Sequence, residues 1–327
     1  MVEAGTFSDP CIITEEQVIR FLRPEILIPS LEQAFRRMAD STISAPLRRQ
    51  LDLPDGGIFL TMPCCESSLP LFGVKLVSIG SGEARVQADY MLYDCHSRRN
   101  VAMIAANYLT DVRTASVSAI ATKLLARKES KVLGMFGTGR QALSHSSVFT
   151  KIMPFTTVLC CGRSPLKSKN FADQLRKDLS IDAYPCSAEE CLSSSDVICC
   201  CTTSFQPLFD GSLIRSGTHF NLIGTFQKNA REVDGETLRH ARLCVESYEG
   251  VLAEGGDILM AMSEGLISES DIVADLHELL VRKKTGRQNA NEITVFKSVG
   301  HGYEDLVAAL LVYERVMGEG RGNNHLG

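Results

Sequence analysis

The stretch KVLGMFGTGRQALSH, Lys131 to His145, places two glycines, Gly137 and Gly139, between an apolar run and a helix-like segment. At a strand-to-helix turn the first glycine permits the tight bend. The second lets the backbone approach a pyrophosphate, whose charge is met by amide groups at the helix N-terminus. The third glycine of the dinucleotide pattern is replaced by Ala142, which is still small enough for close packing of helix on strand. Gly137, Thr138, Gly139, Arg140 and Gln141 are therefore candidate cofactor-binding residues. A purely structural turn between strand and helix is the alternative.

The end of the next strand selects between dinucleotides. An NAD site presents an acidic residue there for the ribose hydroxyls, whereas a 2′-phosphate calls for a cation. Here TTVLCCG ends in Gly162, Arg163 and Ser164, with Lys167 one turn on and no carboxylate until Asp173. A guanidinium matches a phosphate through two parallel hydrogen bonds. Arg163, assisted by Ser164 and Lys167, therefore predicts NADP(H) as the preferred cofactor, with NAD(H) possible; a solvated arginine at a helix start is the alternative.

Two further cations stand in awkward places. Lys75 interrupts the apolar strand FGVKLVS, and Arg113 lies near the start of a helix rich in small residues. An unpaired charge is costly in either setting, and an anionic ligand would resolve it. A side chain reaching solvent, or one paired to a carboxylate, would resolve it equally for each residue taken alone.

These residues must be positioned by elements, which the hydrophobic pattern outlines. The segment Glu15 to Asp40 has helical spacing, with Thr14 as a cap ahead of EEQVIRFL. GGIFLTMP, FGVKLVSIG and DYMLYDC read as strands separated by turn-rich stretches, and Thr110 to Lys128 reads as a long, closely packed helix. The texture then changes. KVLGMFG, TTVLCCG, DVICCCTT, HFNLIG, ARLCVES and ITVFKSVG are short apolar runs, mostly separated by helix-length segments such as Lys167 to Leu179 and Ala188 to Ser194. That is the pattern of a parallel sheet buried on both faces. Gly302 to Met317 reads as a last helix that returns to the first domain, and EGRGNNHLG as a loose tail.

The expected fold class is α/β, a Rossmann-type doubly wound parallel sheet plus an α+β domain. At 327 residues and 44% hydrophobic, two domains are expected. A net charge of −5 without a basic tract argues against a nucleic-acid partner. No apolar run reaches the roughly 18 residues of a membrane span, and the N-terminus shows neither a signal nor a transit pattern, so the expected location is the cytosol. The twelve cysteines form no pair of C-x-x-C knuckles, so no metal site is expected. They read as small apolar residues inside strands in a reducing compartment.

Several segments together resemble the ornithine cyclodeaminase and mu-crystallin family. They are APLRRQLDLPDGG (Ala45 to Gly57), GVKLVS (Gly73 to Ser78), NYLTDVRTASVSAIAT (Asn107 to Thr122), GTGRQA (Gly137 to Ala142), REVD (Arg231 to Asp234) and TVFKSVGHGYEDLVAA (Thr294 to Ala309). The resemblance implies a homodimer. It also implies a substrate-binding and dimerisation domain made of residues 1–120 and 302–327, around a dinucleotide-binding domain of residues 121–301. By the same resemblance, Arg48, Lys75 and Arg113 hold the carboxylate of a small amino or imino acid.

One departure sharpens the expected reaction. Where the cyclodeaminases carry an aspartate just after an Ile-Gly pair, this chain has Thr225. A threonine hydroxyl is no base near neutral pH, which disfavours ornithine cyclisation, and ketimine reductases of the mu-crystallin type resemble this chain in having a small hydroxyl residue there. The expected activity is NAD(P)H-dependent reduction of a cyclic ketimine carboxylate of the piperideine- or pyrroline-2-carboxylate type. Lys75, Arg113 and Thr225 are the candidate catalytic residues. Ornithine or lysine cyclodeamination, amino-acid dehydrogenation, and NADPH-dependent ligand binding without turnover are the alternatives. A second departure, SIGSGEAR after Lys75, alters a loop expected near the substrate.

Overall fold

The computed structural model describes residues 9–38, 42–80 and 86–323. Most of the SIGSGEAR loop, residues 39 and 40 of the first helical segment and the last four residues therefore lie outside the described residues. The chain divides into two compact units. One comprises the described residues up to Ala34, those of Met38–Arg113 and those from His301 onward, and the other comprises Phe35–Arg37 and Thr114–Gly300.

The first unit begins with strand β1 (Cys11–Ile13) and helix α1 (Glu15–Phe21). Thr14 closes a capping box: its hydroxyl accepts from Gln17 N at 3.4 Å, while Gln17 Oε1 accepts from Thr14 N at 2.9 Å. The helical spacing from Glu15 onward is not one helix. The chain breaks at Leu22 and Arg23, and Pro24 opens α2 (Pro24–Arg36), because the residue before a proline is pushed out of the helical region.

Then come β2 (Ile43–Ser44), β3 (Arg49–Asp52), β4 (Ile58–Glu66), β5 (Leu71–Ile79), β6 (Val86–Asp94) and β7 (Asn100–Ala105). The long strands β4 to β7 form an antiparallel meander in sequence order. β1 is added in parallel on the β7 edge, and β2 and β3 pair with β4. The period of two sorts the side chains. Leu60, Met62, Cys64 and Glu66 of β4, Gly73, Lys75 and Val77 of β5, and Ala88, Tyr90 and Leu92 of β6 are buried on one face. The register aligns Met62, Lys75, Tyr90 and Ile104 across the four strands.

Helix α3 (Asn107–Leu125) carries the chain from the first unit into the second. The second unit then runs β8 (Val132–Phe136), α4 (Arg140–Ile152), β9 (Thr157–Cys161), α5 (Pro165–Leu179), β10 (Asp182–Pro185), α6 (Ala188–Ser194), β11 (Val197–Cys200) and β12 (His219–Leu222). It continues through α7 (Gly235–Arg239), β13 (Ala241–Val245), α8 (Tyr248–Glu254), α9 (Gly256–Ser263), β14 (Ile272–Asp275), α10 (Leu276–Leu280) and β15 (Ile293–Lys297). Its eight strands form one parallel sheet in the order β10-β9-β8-β11-β12-β15-β13-β14. Every residue of β11 and β12 is buried, which is why β11 reads as an unbroken apolar and Cys-rich run; β12 also buries His219 and Asn221, which bond to Thr294 and Thr122. Strand order reverses between β8 and β11, the switch point at which parallel sheets of this Rossmann type bind their ligands.

The last helix, α11 (Gly302–Asn323), belongs to the first unit and packs across β4, β5 and β6. It extends six residues past Met317, so the loose tail expected from Glu319 onward is instead helical through Asn323. Glycine and asparagine only weaken a helix, and α11 continues through them. All twelve cysteines are free thiols. Burial raises the thiols of Cys160 and Cys244, both inside strands of the parallel sheet, to about 12. Cys191 lies on α6 rather than in a strand, and Cys65 is exposed.

Candidate functional site

In the second unit, the turn after β8 has the backbone that its glycines allow. Gly137 adopts φ +109°, and a Cβ there would stand 2.6 Å from the carbonyl oxygen of Cys201. Its N–H donates to Cys161 O at 2.9 Å, tying the turn to the end of β9. Gly139 is the N-cap of α4, makes no side-chain cap, and would point a Cβ into open space. The first-turn amides of this 13-residue helix are thus left facing an approachable surface, and Ala142 is fully buried beneath it. That cradle fits the pyrophosphate of a dinucleotide. Thr138 lies against Gly162, while Arg140 is exposed and Gln141 half-buried.

At the end of β9, Arg163 is exposed and pairs with no described carboxylate. Ser164 caps α5, its hydroxyl accepting from Lys167 N at 3.4 Å, and the Lys167 side chain is exposed. The first acidic residue downstream, Asp173, is turned to its own helix, where it pairs with Lys169 at 2.9 Å and with Arg176.

Thr225 is in the loop after β12, 3% exposed, within a buried polar network of the same unit. Its hydroxyl donates to Asp257 Oδ2 at 3.0 Å, and Lys297 Nζ donates to the Thr225 carbonyl oxygen at 2.8 Å and reaches its hydroxyl at 3.2 Å. Lys297 and Asp257 form an ion pair at 2.8 Å with both side chains fully buried. Asp257 Oδ1 also accepts from the amides of Glu232 and Val233. Burial pushes Asp257 up, but the Lys297 ammonium and these amides hold its carboxyl below the usual carboxylate range. Burial and the neighbouring Asp257 charge push Glu232 the other way, to about 7. The Thr225 hydroxyl proton is thus committed inside the protein, which leaves the oxygen able to accept one more hydrogen bond but not to donate one.

The first unit holds the other candidates. Lys75 is 1% exposed and Arg113 is 5% exposed, so both charges are buried, but neither is unpaired. Lys75 Nζ donates to Asp305 Oδ1 at 2.8 Å. Arg113 donates to Glu304 Oε2 at 2.7 Å, and its Nε lies 3.0 Å from Asp305 Oδ1. Carboxylate partners, not a ligand alone, therefore resolve the awkward placement of these cations. Burial pulls Lys75 down to about 8, helped by the charges of Arg113 and Arg48 and opposed by Asp305. Arg48, half-buried just before β3, thus acts on the same buried point. Asp305 Oδ2 and the Tyr90 hydroxyl are buried without a hydrogen-bond partner, and Tyr303 donates to the buried Glu66 at 2.6 Å.

Arg48, Lys75 and Arg113 are therefore brought together in the first unit, while the glycine turn, Arg163, Ser164, Lys167 and Thr225 belong to the second. The sequence reading missed Glu304, Asp305, Glu232, Asp257 and Lys297. The only local signals were an adjacent acid pair opening the last helix and a lysine at the end of an apolar strand.

The ornithine cyclodeaminase/mu-crystallin family profile matches residues 9–320. Ketimine reductase mu-crystallin of Mus musculus is 34% identical over 315 residues, covering 93% of this chain and 97% of that protein. Among solved structures, the Thermococcus litoralis Delta(1)-pyrroline-2-carboxylate reductase in complex with NADH and L-proline is 34% identical, with a TM-score of 0.91 over 95% of this chain and 98% of that one. An archaeal alanine dehydrogenase dimer with bound NAD is 29% identical, with a TM-score of 0.88 over 95% of this chain and 97% of that one. A match that spans both units, together with a glycine turn at the sheet's switch point and a buried cation cluster, places this chain in the ornithine cyclodeaminase/mu-crystallin family.

Proposed function

We propose that this chain is an NADPH-dependent reductase of cyclic ketimine carboxylates, of the pyrroline- or piperideine-2-carboxylate type. The observation that carries the reading is the cluster of Arg48, Lys75 and Arg113 around one buried point, with an acceptor and a donor, Asp305 Oδ2 and the Tyr90 hydroxyl, left without partners. The named activities of the mouse and Thermococcus relatives support the same reaction. In this reading residues 1–120 and 302–327 bind substrate and mediate dimerisation, and residues 121–301 bind the dinucleotide.

When bound, the nicotinamide supplies a hydride to the imine carbon. The protein's part is to hold the carboxylate through Arg113 and Arg48 and to provide the proton that converts the imine to an iminium, whose carbon is the better hydride acceptor. Lys75, with its ammonium brought down to about 8, is charged at neutral pH and acidic enough to give that proton up. Thr225, which can only accept, suits an iminium N–H or a carboxamide N–H. The missing carboxylate at this position speaks against cyclodeamination.

Homodimerisation is supported by the outer side of the first unit, where Ile12, Leu51 and Met103 are exposed at 62%, 61% and 40%. The relative solved as a dimer points the same way. Among the described residues no helix is long and apolar enough to cross a membrane. Twelve free thiols suit a reducing cytosol.

The test is a panel of cyclic imino acids assayed with NADPH and NADH, alongside ornithine and lysine. Stoichiometric cofactor oxidation with proline or pipecolate formed is the expected result. Ammonia release from ornithine or lysine without net cofactor consumption overturns the reductase reading, and tight cofactor binding without turnover on any member favours a binding protein.

Cofactor choice gives a second expected outcome. Arg163→Ala weakens NADPH binding by about tenfold or more, the range for one charge-assisted contact, and leaves NADH nearly unchanged. Equal losses for both cofactors, measured by titration, remove Arg163 from the 2′-phosphate.

A further inference from the structure

Three consecutive neighbours in the parallel sheet, β8, β11 and β12, end in loops that are packed backbone against backbone. A Cβ on Gly137, after β8, would meet the carbonyl of Cys201 and the methyl of Thr202, after β11. A Cβ on Gly224, after β12, would collide with the backbone of that same Thr202. One buried carboxylate joins the last two loops. Glu232 Oε1 accepts from Thr202 N at 2.6 Å and from Thr202 Oγ1 at 2.8 Å, and Glu232 Oε2 accepts from Gly224 N at 2.8 Å. Glu232 is fully buried, and its own N–H donates to Asp257, whose other oxygen holds Thr225 and Lys297.

In a sheet wound from two mononucleotide-binding halves, β8 to β10 make the adenosine half, and the strands beyond the switch point make the nicotinamide half. The Thr202 and Gly224 loops are the carboxyl ends of the first two strands of that second half. We propose that Glu232 is a positioning residue that bolts these two loops into one rigid floor and so fixes the nicotinamide, but not the adenosine, end of the cofactor. The inference rests on the dinucleotide-binding part of the proposed function.

Replacing Glu232 by glutamine keeps the shape and reverses one contact. If the side-chain oxygen stays on Thr202, the amide NH2 is left facing the Gly224 N–H, donor against donor, and that N–H keeps only its longer 3.2 Å contact to Cys200 O. The two loops then lose their shared side-chain anchor and keep only the backbone bonds of Ile223 and Gly224 to Cys200 O, while the contacts of the glycine turn to Cys161 and the Arg163 side chain are unchanged.

The experiment compares wild type, Glu232→Gln and the milder Thr202→Val, which removes the hydroxyl donor and keeps the amide. Bound NADPH is read by nicotinamide fluorescence, the adenosine half by displacement with ADP-ribose 2′-phosphate, and folding by thermal melting. The expected result is ADP-ribose 2′-phosphate affinity within about threefold of wild type, with the fluorescence enhancement and slow tumbling of the bound nicotinamide largely lost in Glu232→Gln and partly lost in Thr202→Val. In the same variants kcat falls, and the deuterium transferred from stereospecifically labelled NADPH loses facial purity. Loss of both halves' binding in parallel, or a lowered melting point with nicotinamide fluorescence and facial purity intact, overturns the proposal. Absence of imine reduction by wild type overturns the reaction assigned above, while the fluorescence contrast still decides the role of Glu232.

Discussion

Lys75→Met lowers kcat/KM for a cyclic imino acid by about 10² to 10⁴-fold, the contribution of a positioned proton donor, and leaves cofactor affinity close to wild type. The substitution nearly conserves volume in a strand whose cross-strand neighbours are Met62 and Tyr90, so the sheet has no reason to shift. Asp305 is not stranded by the change, because Arg113 Nε remains 3.0 Å away. The pH profile separates the two roles Lys75 can have. Burial and its cationic neighbours place the Lys75 ammonium at about 8, so in the unliganded protein it is charged below that pH and loses its proton above it. A reaction that needs the ammonium therefore declines as pH rises through about 8. In Lys75→Met that basic limb is absent and the remaining low rate is flat across the same range. If the variant keeps wild-type turnover and the same limb, the proton comes from elsewhere and Lys75 is an electrostatic anchor. Arg113→Ala differs: binding common to ground and transition states is lost, so KM rises more than kcat falls.

The second large effect is on stability. Asp257→Ala costs about 3 to 5 kcal/mol of unfolding free energy, the range for removing one partner of a buried ion pair. The Lys297 ammonium is fully buried and loses its counter-charge at 2.8 Å, and the amides of Glu232 and Val233 lose their acceptor. Adding Lys297→Met to Asp257→Ala removes the stranded charge and recovers part of the loss. Urea unfolding of the two single variants and the double variant reads this directly. A double variant no more stable than Asp257→Ala would show that the amide contacts, and not the ion pair, carry the effect.

The parts of this molecule that could be read in its sequence are those whose cause is local. A positive φ at Gly137, the unobstructed approach at Gly139, the capping box at Thr14 and the fully buried strands of the parallel sheet are each imposed by a residue on its own few neighbours. Two-residue and three-residue edge strands such as β1 and β2 are too short to leave a period. The break before Pro24 was hidden by helical spacing that resumes after it. The counter-charges were hidden for a different reason. Glu304 and Asp305 find their partners 191 and 230 residues away, and no spacing rule reaches across that separation. Thr225 was legible as a missing base, but not as a hydroxyl already engaged by Asp257 and Lys297, which needs the fold of β15 and α9 to be known.

In the proposed reading, the acid pair on α11 also has a consequence for how fast a substrate arrives. Three cations at the buried cluster would by themselves project a strong positive field and draw in any small anion. Glu304 and Asp305, at 2.7 and 2.8 Å from Arg113 and Lys75, cancel most of it at short range, so these five groups present roughly one net positive charge to the solvent. Capture is then governed by diffusion and fit more than by long-range attraction, and its rate is only weakly sensitive to ionic strength. On that reading, selection among small carboxylates is left to short-range contacts, after encounter and at close quarters.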